Sequence, residues 1–493
     1  MEAMSAGRAR GGVRRRPRAP RAFALSAVAA LLAAGCTNAG LGGAPAGHHA
    51  GDGPILLPTT SAGCGPENDC PEAGRDRPRY DLEVSIPRSG RTVSGSLHGE
   101  FAPDLDTGRL VFRLWPNSPR QAEEGAGLTV SDVTVDGVAA ATGQPDPTTL
   151  VVHPGQPVRR GQRVTFSMGW VLRLPGAVLD RLGRDGDTVW LGSFYPILPW
   201  VSGVGWATDP PTTSLAEAST SPTADFTVRV THPAGLTVIA SGEVRDRGDA
   251  GNGIMQTEEW NAVAVRDFAL AVGRFTTGSA TLFAPHPIEI TVGVEDGVAV
   301  DPDELADRLA VTLGRLGGRY GIYPWSSFHL TVTRAIRRSG IEYPTLVFEG
   351  SRGIDRVTTH ELAHQWFYSL VGNDQARDPW LDETFATWAA ARLDGYVDYF
   401  ANAHFPPVAR NHVGAPMTFW DHHSEQYEPG VYFRGVQVFA ELGDPDKVDA
   451  ALRAYVATNA FGIATPKDLG TALIERFPDA MERLGPAGID LTK

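Results

Sequence analysis

Cysteine is scarce in this sequence: three occur among 493 residues, at Cys36, Cys64 and Cys70. That is too few for a disulfide scaffold to replace a hydrophobic core, and an odd number leaves one thiol with another task. Long apolar runs are also missing. The stretch Ala22 to Ala34 is thirteen uncharged residues, short of the roughly 20 that cross a bilayer as a stable helix. There is no surplus of base. Lys and Arg number 44 against 57 Asp and Glu, a formal charge of −13, which argues against a general nucleic-acid binder. No internal repeat is visible. What is present is a globular balance, 42% hydrophobic and 20% charged, long enough for two or three domains.

The amino terminus reads as a processing signal. Arg8, Arg10, Arg14, Arg15, Arg16, Arg18 and Arg21 precede the short apolar run, and small residues close it, which marks 1–35 as an export segment. Cys36 follows Leu-Leu-Ala-Ala-Gly and resembles a bacterial lipoprotein lipobox, where the cysteine becomes the lipidated first residue. Ala33 stands where that pattern usually has Leu; plain secretion and an uncleaved anchor are the alternatives. Without residues 1–35, 37 basic residues face 56 acidic ones, a charge of −19. Attachment to a membrane would then come from a lipid and not from electrostatics. Residues 36–77, rich in Gly, Ala, Pro, Ser and Thr, read as a flexible tether. Outside the cytoplasm, Cys64 and Cys70 would close a small disulfide loop; a metal pair would need further ligands, and no other cysteine is near.

Two grammars follow. Residues 78–280 alternate like strands between turn residues, as in Asp225 to Thr231, where Phe226, Val228 and Val230 share a face. An antiparallel β domain is expected there, and nothing in it reads as chemistry. Residues 281–493 change pattern. Strands are expected at Pro287 to Gly293 and Phe328 to Val332. Between them Asp301, Pro302 and Glu304 open a helix, Leu305, Leu309, Val311 and Leu316 give its apolar face, and Gly317-Gly318 would close it. From Ile354 onward the pattern is mostly helical.

One constellation carries chemistry. His360-Glu361-Leu362-Ala363-His364 is H-E-x-x-H, which on a helix puts both imidazoles on one face toward one ion and leaves Glu361 beside it as a base. A surface helix with two solvated histidines would look the same. Nineteen residues on, Glu383 opens another helical stretch and can supply a third ligand, leaving a fourth position for water. Alone, Glu383 would be an ordinary acid at a helix N-terminus.

These residues resemble the aminopeptidase N family of gluzincin metallopeptidases, whose HExxH-x18-E pattern is matched by His360, Glu361, His364 and Glu383. The resemblance implies an α+β multidomain fold: an N-terminal antiparallel saddle-like β domain, then a thermolysin-like zincin catalytic domain that turns mostly helical. It implies one Zn2+ ion held by His360, His364 and Glu383, with Glu361 as general base. Gly340-Ile341-Glu342-Tyr343-Pro344 resembles the exopeptidase motif G-x-M-E-N, so Gly340 and Glu342 would bind the substrate's free amine, with Ile341 in place of Met. Tyr432-Phe433-Arg434-Gly435-Val436 resembles the Y-x-K-G-A segment, which makes Tyr432 the oxyanion-stabilising tyrosine; Tyr427 competes for that role. Gly192 to Pro196, Gly205-Trp206 and Tyr320 to Pro324 extend the likeness over about 80–450. Family members usually carry a further helical domain that caps the cleft. Only 110 residues follow Glu383, so the distal end of the cleft is expected to be more open.

The implied partners are peptides with a free N-terminus. An endopeptidase, in which Glu342 anchors no amine, is the nearest alternative; a catalytically idle surface lipoprotein is the second. Asp374, Asp378 and Asp382 are candidates to orient the histidines, or simple loop and cap acids. His48-His49, His422-His423 and Arg337-Arg338 are read as solvated surface groups. The eleven tryptophans are read as core and domain-interface residues.

Overall fold

The computed structural model describes residues 70–177, 181–213, 220–249, 253–336 and 339–493. The export segment, most of the tether, Cys36, Cys64, His48-His49 and Arg337-Arg338 lie outside the described residues. Cys70 is buried and disulfide-bonded. Among the described residues no helix is long and apolar enough to cross a membrane.

Alternation builds the N-terminal half. In Arg79–Ser85 the residues Tyr80, Leu82 and Val84 turn inward while Asp81, Glu83 and Ser85 face water, the period-two pattern of a half-buried strand. This strand lies within an eight-stranded sheet flanked by Ala224–Pro233 and Thr92–Phe101. Its pairing with Ala224–Pro233 is parallel, an exception to the antiparallel expectation, and it stacks Tyr80 on Phe226 at 4.7 Å. A four-stranded sheet of Thr237–Ala240, Leu270–Gly273, Thr188–Leu191 and Leu182–Asp185 stands between this layer and the second half. Its two central strands are buried at every residue, as a sheet covered on both faces requires.

The second half begins with a five-stranded sheet: β1 (Phe275–Phe283), β2 (Pro287–Glu295), β3 (Ser327–Thr333), β4 (Gly340–Tyr343) and β5 (Leu346–Gly350), ordered β1-β2-β3-β5-β4. The change of pattern placed at 281 thus falls inside β1. β3 and β5 run parallel to each other and are wholly buried. β4 pairs antiparallel with β5 and forms the edge. Helix α1 (Pro302–Tyr320) is capped by Asp301, whose side chain accepts from the amides of Asp303 and Glu304. It does not stop at Gly317-Gly318. Buried Leu313, Leu316 and Tyr320 carry its apolar face through the glycines, and the turn comes at Gly321, with φ of 122°. Val311 points outward and is 63% exposed, so the inward row is Leu305, Leu309, Leu313 and Leu316.

Helices α2 (Ile354–Ala363) and α3 (Trp380–Asp394) pack below the sheet, and α3 is buried on nearly every side. A π-helical segment, Glu428–Arg434, runs into α4 (Gly435–Glu441), and α5 (Pro445–Asn459) closes the lobe. Asp449 on α5 ties these elements together. Its carboxylate accepts from Tyr320 (3.0 Å), Trp388 (2.8 Å), Arg392 (2.8 Å) and Arg319. Trp170, Trp190, Trp366, Trp380, Trp388 and Trp420 are fully buried.

The two halves are sewn to one another. Buried Arg266, whose pKa burial lowers to about 10, donates to the carbonyls of Ser221 (3.1 Å), Leu370 (3.2 Å) and Gly462. The Thr223 hydroxyl donates to the Phe461 carbonyl, and the Trp325 indole to that of Val263. The Gly242 amide donates to Thr345 Oγ1 at 2.7 Å.

Candidate metal centre

The last turn of α2 carries His360 and Glu361, and His364 follows as its C-cap residue. The first turn of α3 carries Glu383. Packing α2 on α3 brings three side-chain atoms together: His360 Nε2 lies 3.1 Å from Glu383 Oε2 and 3.0 Å from His364 Nε2, and His364 Nε2 lies 3.5 Å from Glu383 Oε2.

Hydrogen bonds behind the rings fix what those atoms are. His364 Nδ1 donates to the Phe367 carbonyl at 3.0 Å. His360 Nδ1 meets Thr387 Oγ1 at 3.3 Å, and that hydroxyl donates its own proton to the Glu383 carbonyl at 2.7 Å. Thr387 can therefore only accept from His360. Both Nδ1 atoms hold their protons, so both Nε2 atoms present lone pairs to a carboxylate oxygen. Three acceptors facing one another require a cation among them. Without a metal a proton serves: burial would lower the His364 pKa, but the Glu383 charge pushes it up to about 10, while burial keeps His360 low. Two imidazoles and one carboxylate are the donor set of a zinc site with an open position, and their arrangement fits that ion.

Glu361 lies beside this group, 5% exposed. Burial, reinforced by the charges of Glu342, Glu349 and Glu383 and opposed by His364, holds its carboxyl well above the usual range. Gly340 on β4 makes room for it: a Cβ there would lie 2.3 Å from Glu361 Cγ and Cδ. Glu342, one pleat along β4, is buried and pairs with Arg181 from the first half at 3.2 Å. Tyr432, on the π-helical segment, stacks on His360 with ring centres 5.7 Å apart, and Tyr427 meets Tyr432 edge-on at 5.7 Å. Gly340, Glu342, His360, Glu361, Glu383, Tyr427 and Tyr432 border one cleft of about 1270 Å³, whose wall continues through Tyr396, Tyr399, Phe400 and Phe433.

Asp374, Asp378 and Asp382 hydrogen-bond neither histidine. Asp382 accepts from Gln375 and from the amide of Glu383, and Asp374 accepts from the amides of Ala376 and Arg377. Thr387 and the Phe367 carbonyl hold the rings instead. Thr387 was detectable in principle, four residues after Glu383 on one helix face. Arg181 was not, because nothing local in the sequence links it to Glu342. His423 is engaged by the Phe419 carbonyl and ring.

Residues 346–484 match the peptidase family M1 domain. Over that span the chain is similar to a family M1 peptidase domain. The matched span of the M1 domain takes in His360, Glu361, His364, Glu383 and Tyr432; Gly340 and Glu342 lie just before it. Human aminopeptidase B is 27% identical over 194 residues, 33% of this chain and 30% of that protein. Aminopeptidase M1-A of Oryza sativa subsp. japonica is 30% identical over 151 residues, 26% of this chain and 16% of that protein. The alignments thus span less than a third of the length of these relatives. An M1 zinc metallopeptidase from Deinococcus radiodurans superposes with a TM-score of 0.64 at 22% identity, covering 86% of this chain and 96% of that one. A mutant of a two-domain M1 zinc metallopeptidase bound to L-arginine gives 0.64 at 21%, covering 85% and 95%. These likenesses extend across both halves, so the β-rich first half and the helical M1 domain together form the two-domain M1 fold.

Proposed function

We propose that the protein is a zinc aminopeptidase that removes N-terminal residues from peptides. The observation that carries this is the convergence of His360 Nε2, His364 Nε2 and Glu383 Oε2, three lone-pair atoms with Glu361 and Glu342 on the same cleft wall. His360, His364 and Glu383 would hold zinc, which when bound supplies a Lewis acid that polarises a carbonyl and acidifies water. Glu361, in a dry site where its carboxyl is drawn toward protonation, accepts the proton of the attacking water at a carboxylate oxygen and delivers it to the leaving amine. Tyr432 would donate its hydroxyl proton to oxygen charge that develops only in the transition state, a role its ring stacked on His360 supports. Glu342 takes the α-ammonium, and that contact sets where cleavage occurs. Gly340 and Glu342 stand one pleat apart on β4, so the glycine that makes room for the α2 base and the amine anchor share one edge strand.

The experiment is hydrolysis of aminoacyl-arylamides and of paired free and N-acetylated peptides by wild type and Glu361→Gln. Cleavage of free substrates that is lost on acetylation and on substitution is expected. Equal rates on blocked peptides would make the enzyme an endopeptidase, and activity surviving in Glu361→Gln would sink the mechanism. The site of action is outside the cytoplasm, with the chain anchored by a lipid on Cys36. The basic run, the short apolar stretch and the cysteine that follows support this placement. Cys36→Ala should move the protein from the membrane fraction to the soluble one; unchanged fractionation would refute the anchor.

A further inference from the structure

The cleft extends well past the metal centre. In the aminopeptidase reading, on which this inference rests, Glu342 holds the amine of the first residue and no part of the peptide lies behind it. Every later residue must then lie in the remainder of the cleft, whose volume of about 1270 Å³ exceeds the roughly 300–1,000 Å³ of small-molecule pockets. Along α3 the wall runs from Glu383 past Thr387 to Asp394, eleven residues on from Glu383. At about 1.5 Å of helical rise per residue that is about 16 Å. An extended peptide advances about 3.4 Å per residue, so about four or five residues beyond the scissile bond fit along it.

That stretch of wall ends in a fixed aromatic ledge. Gly395, with φ of 80°, turns the chain at the end of α3, and the short helix Val397–Ala401 follows. Tyr396, Tyr399 and Phe400 from this turn and Phe433, the neighbour of Tyr432, all border the cleft. Buried Phe400 stacks on Phe433 with ring centres 5.1 Å apart, and Tyr396 and Tyr399 meet Phe400 edge-on at 5.6 and 5.2 Å. The Gln437 amide on α4 donates to the carbonyls of Phe400 (3.1 Å), Ala401 (3.1 Å) and Ala403 (2.9 Å), which bolts the short helix to the lobe. On this support Tyr399 is left 73% exposed. A lone exposed apolar residue needs no explanation. An exposed tyrosine on a braced aromatic cluster beside the cleft is different, because a rigid ring offers large contact area at small entropic cost. We infer that Tyr399, backed by Phe400 and Phe433, forms a subsite for an aromatic or large apolar side chain about two to four residues beyond the scissile bond.

The test uses the zinc-loaded full chain and a hexapeptide of Leu followed by five Ala, with Phe placed in turn at the third, fourth and fifth positions. Release of the first residue is measured. At least one Phe peptide should exceed the all-Ala tail by about tenfold in kcat/KM, through KM and not kcat, since the contact is the same in ground and transition states. Tyr399→Ala should bring that ratio near one, and Tyr399→Phe should keep most of it. The exposure of Tyr399 means that neither change opens a cavity in the core. A wild-type enzyme with no gain at any of the three positions overturns the inference; so does a Tyr399→Ala variant that keeps the gain. Calorimetric binding of the same peptides to Glu361→Gln provides a readout without turnover. Tyr399-dependent preference for Phe in a protein that releases no first residue would refute the aminopeptidase reading and leave the subsite standing. Release of the first residue with no such preference would do the reverse.

Discussion

Replacing Gly340 with alanine should separate catalysis from metal binding. A Cβ at this position would sit 2.3 Å from Glu361 Cγ and Cδ and 2.4 Å from Oε1. Ordinary van der Waals contact is about 3.5–4 Å, so something must yield by roughly an ångström. What stands in the way is a side chain and not backbone, so the fold survives and the Glu361 carboxylate is displaced. The overpacking costs about 1–3 kcal/mol of stability. A reacting group moved by about 1 Å loses on the order of 100-fold in rate, equivalent to about 2.7 kcal/mol of barrier. The three atoms nearest the new methyl group all belong to Glu361 and none to His360, His364 or Glu383, so zinc content should stay at one per chain. The assay is steady-state kinetics on an aminoacyl-arylamide, with zinc stoichiometry and a thermal melt on the same preparation. A fall of about 100-fold in kcat, with KM changed little and zinc retained, is expected. Wild-type kcat in a folded Gly340→Ala would refute the claim that this glycine exists to seat the base. A rise in KM alone would instead assign Gly340 to substrate binding.

Three further outcomes follow from the same geometry. Thr387→Val removes the acceptor for His360 Nδ1 and should weaken zinc binding about 10- to 100-fold in a chelator competition; unaltered affinity would mean the threonine orients nothing. Near neutral pH the metal-free site holds a proton on His364, whose pKa stands at about 10, so zinc binding should release about one proton and tighten as pH rises toward that value. Calorimetry in buffers of different ionisation heat reads that proton, and a buffer-independent heat would contradict the picture. Asp449→Ala strips the shared acceptor from Arg319, Arg392, Tyr320 and Trp388. The loss should be about 3 kcal/mol in urea unfolding, the low end for a broken buried pair because the Arg319 side chain is 31% exposed. A loss under about 1 kcal/mol would show that the four donors find water.

Much of this was legible before any coordinates. H-E-x-x-H and Glu383 depend on spacing along two helices, and such spacing translates directly into geometry once the helices pack. The Asp301 cap is equally local, and it formed as expected. Val311 and the glycine pair misled because a stop signal acts only when nothing holds the helix beyond it; Leu316 and Tyr320, both buried, hold it. The histidine supports stayed open in the sequence for another reason. Three acidic residues near the motif outweighed a threonine in chemical expectation, but ring orientation is decided by what lies behind Nδ1, and α3 puts Thr387 there. Arg181 stands furthest from anything a sequence can disclose. Its partner is 161 positions away, and only the fold brings the two strands to one cleft.

Arg266 has a practical meaning for anyone dividing this protein. A catalytic fragment begun at residue 281 would retain the entire H-E-x-x-H constellation and yet lose the buried guanidinium that donates to the Leu370 and Gly462 carbonyls beside the Phe461 and Gly372 amides. It would also cut β1, the outer strand of its own sheet, in two. Lost bonds between the halves and a torn edge strand favour aggregation over folding. The smallest portion that can be transplanted, displayed or evolved as an enzyme is therefore the pair of halves together, with Arg181 and Glu342 inherited as one unit.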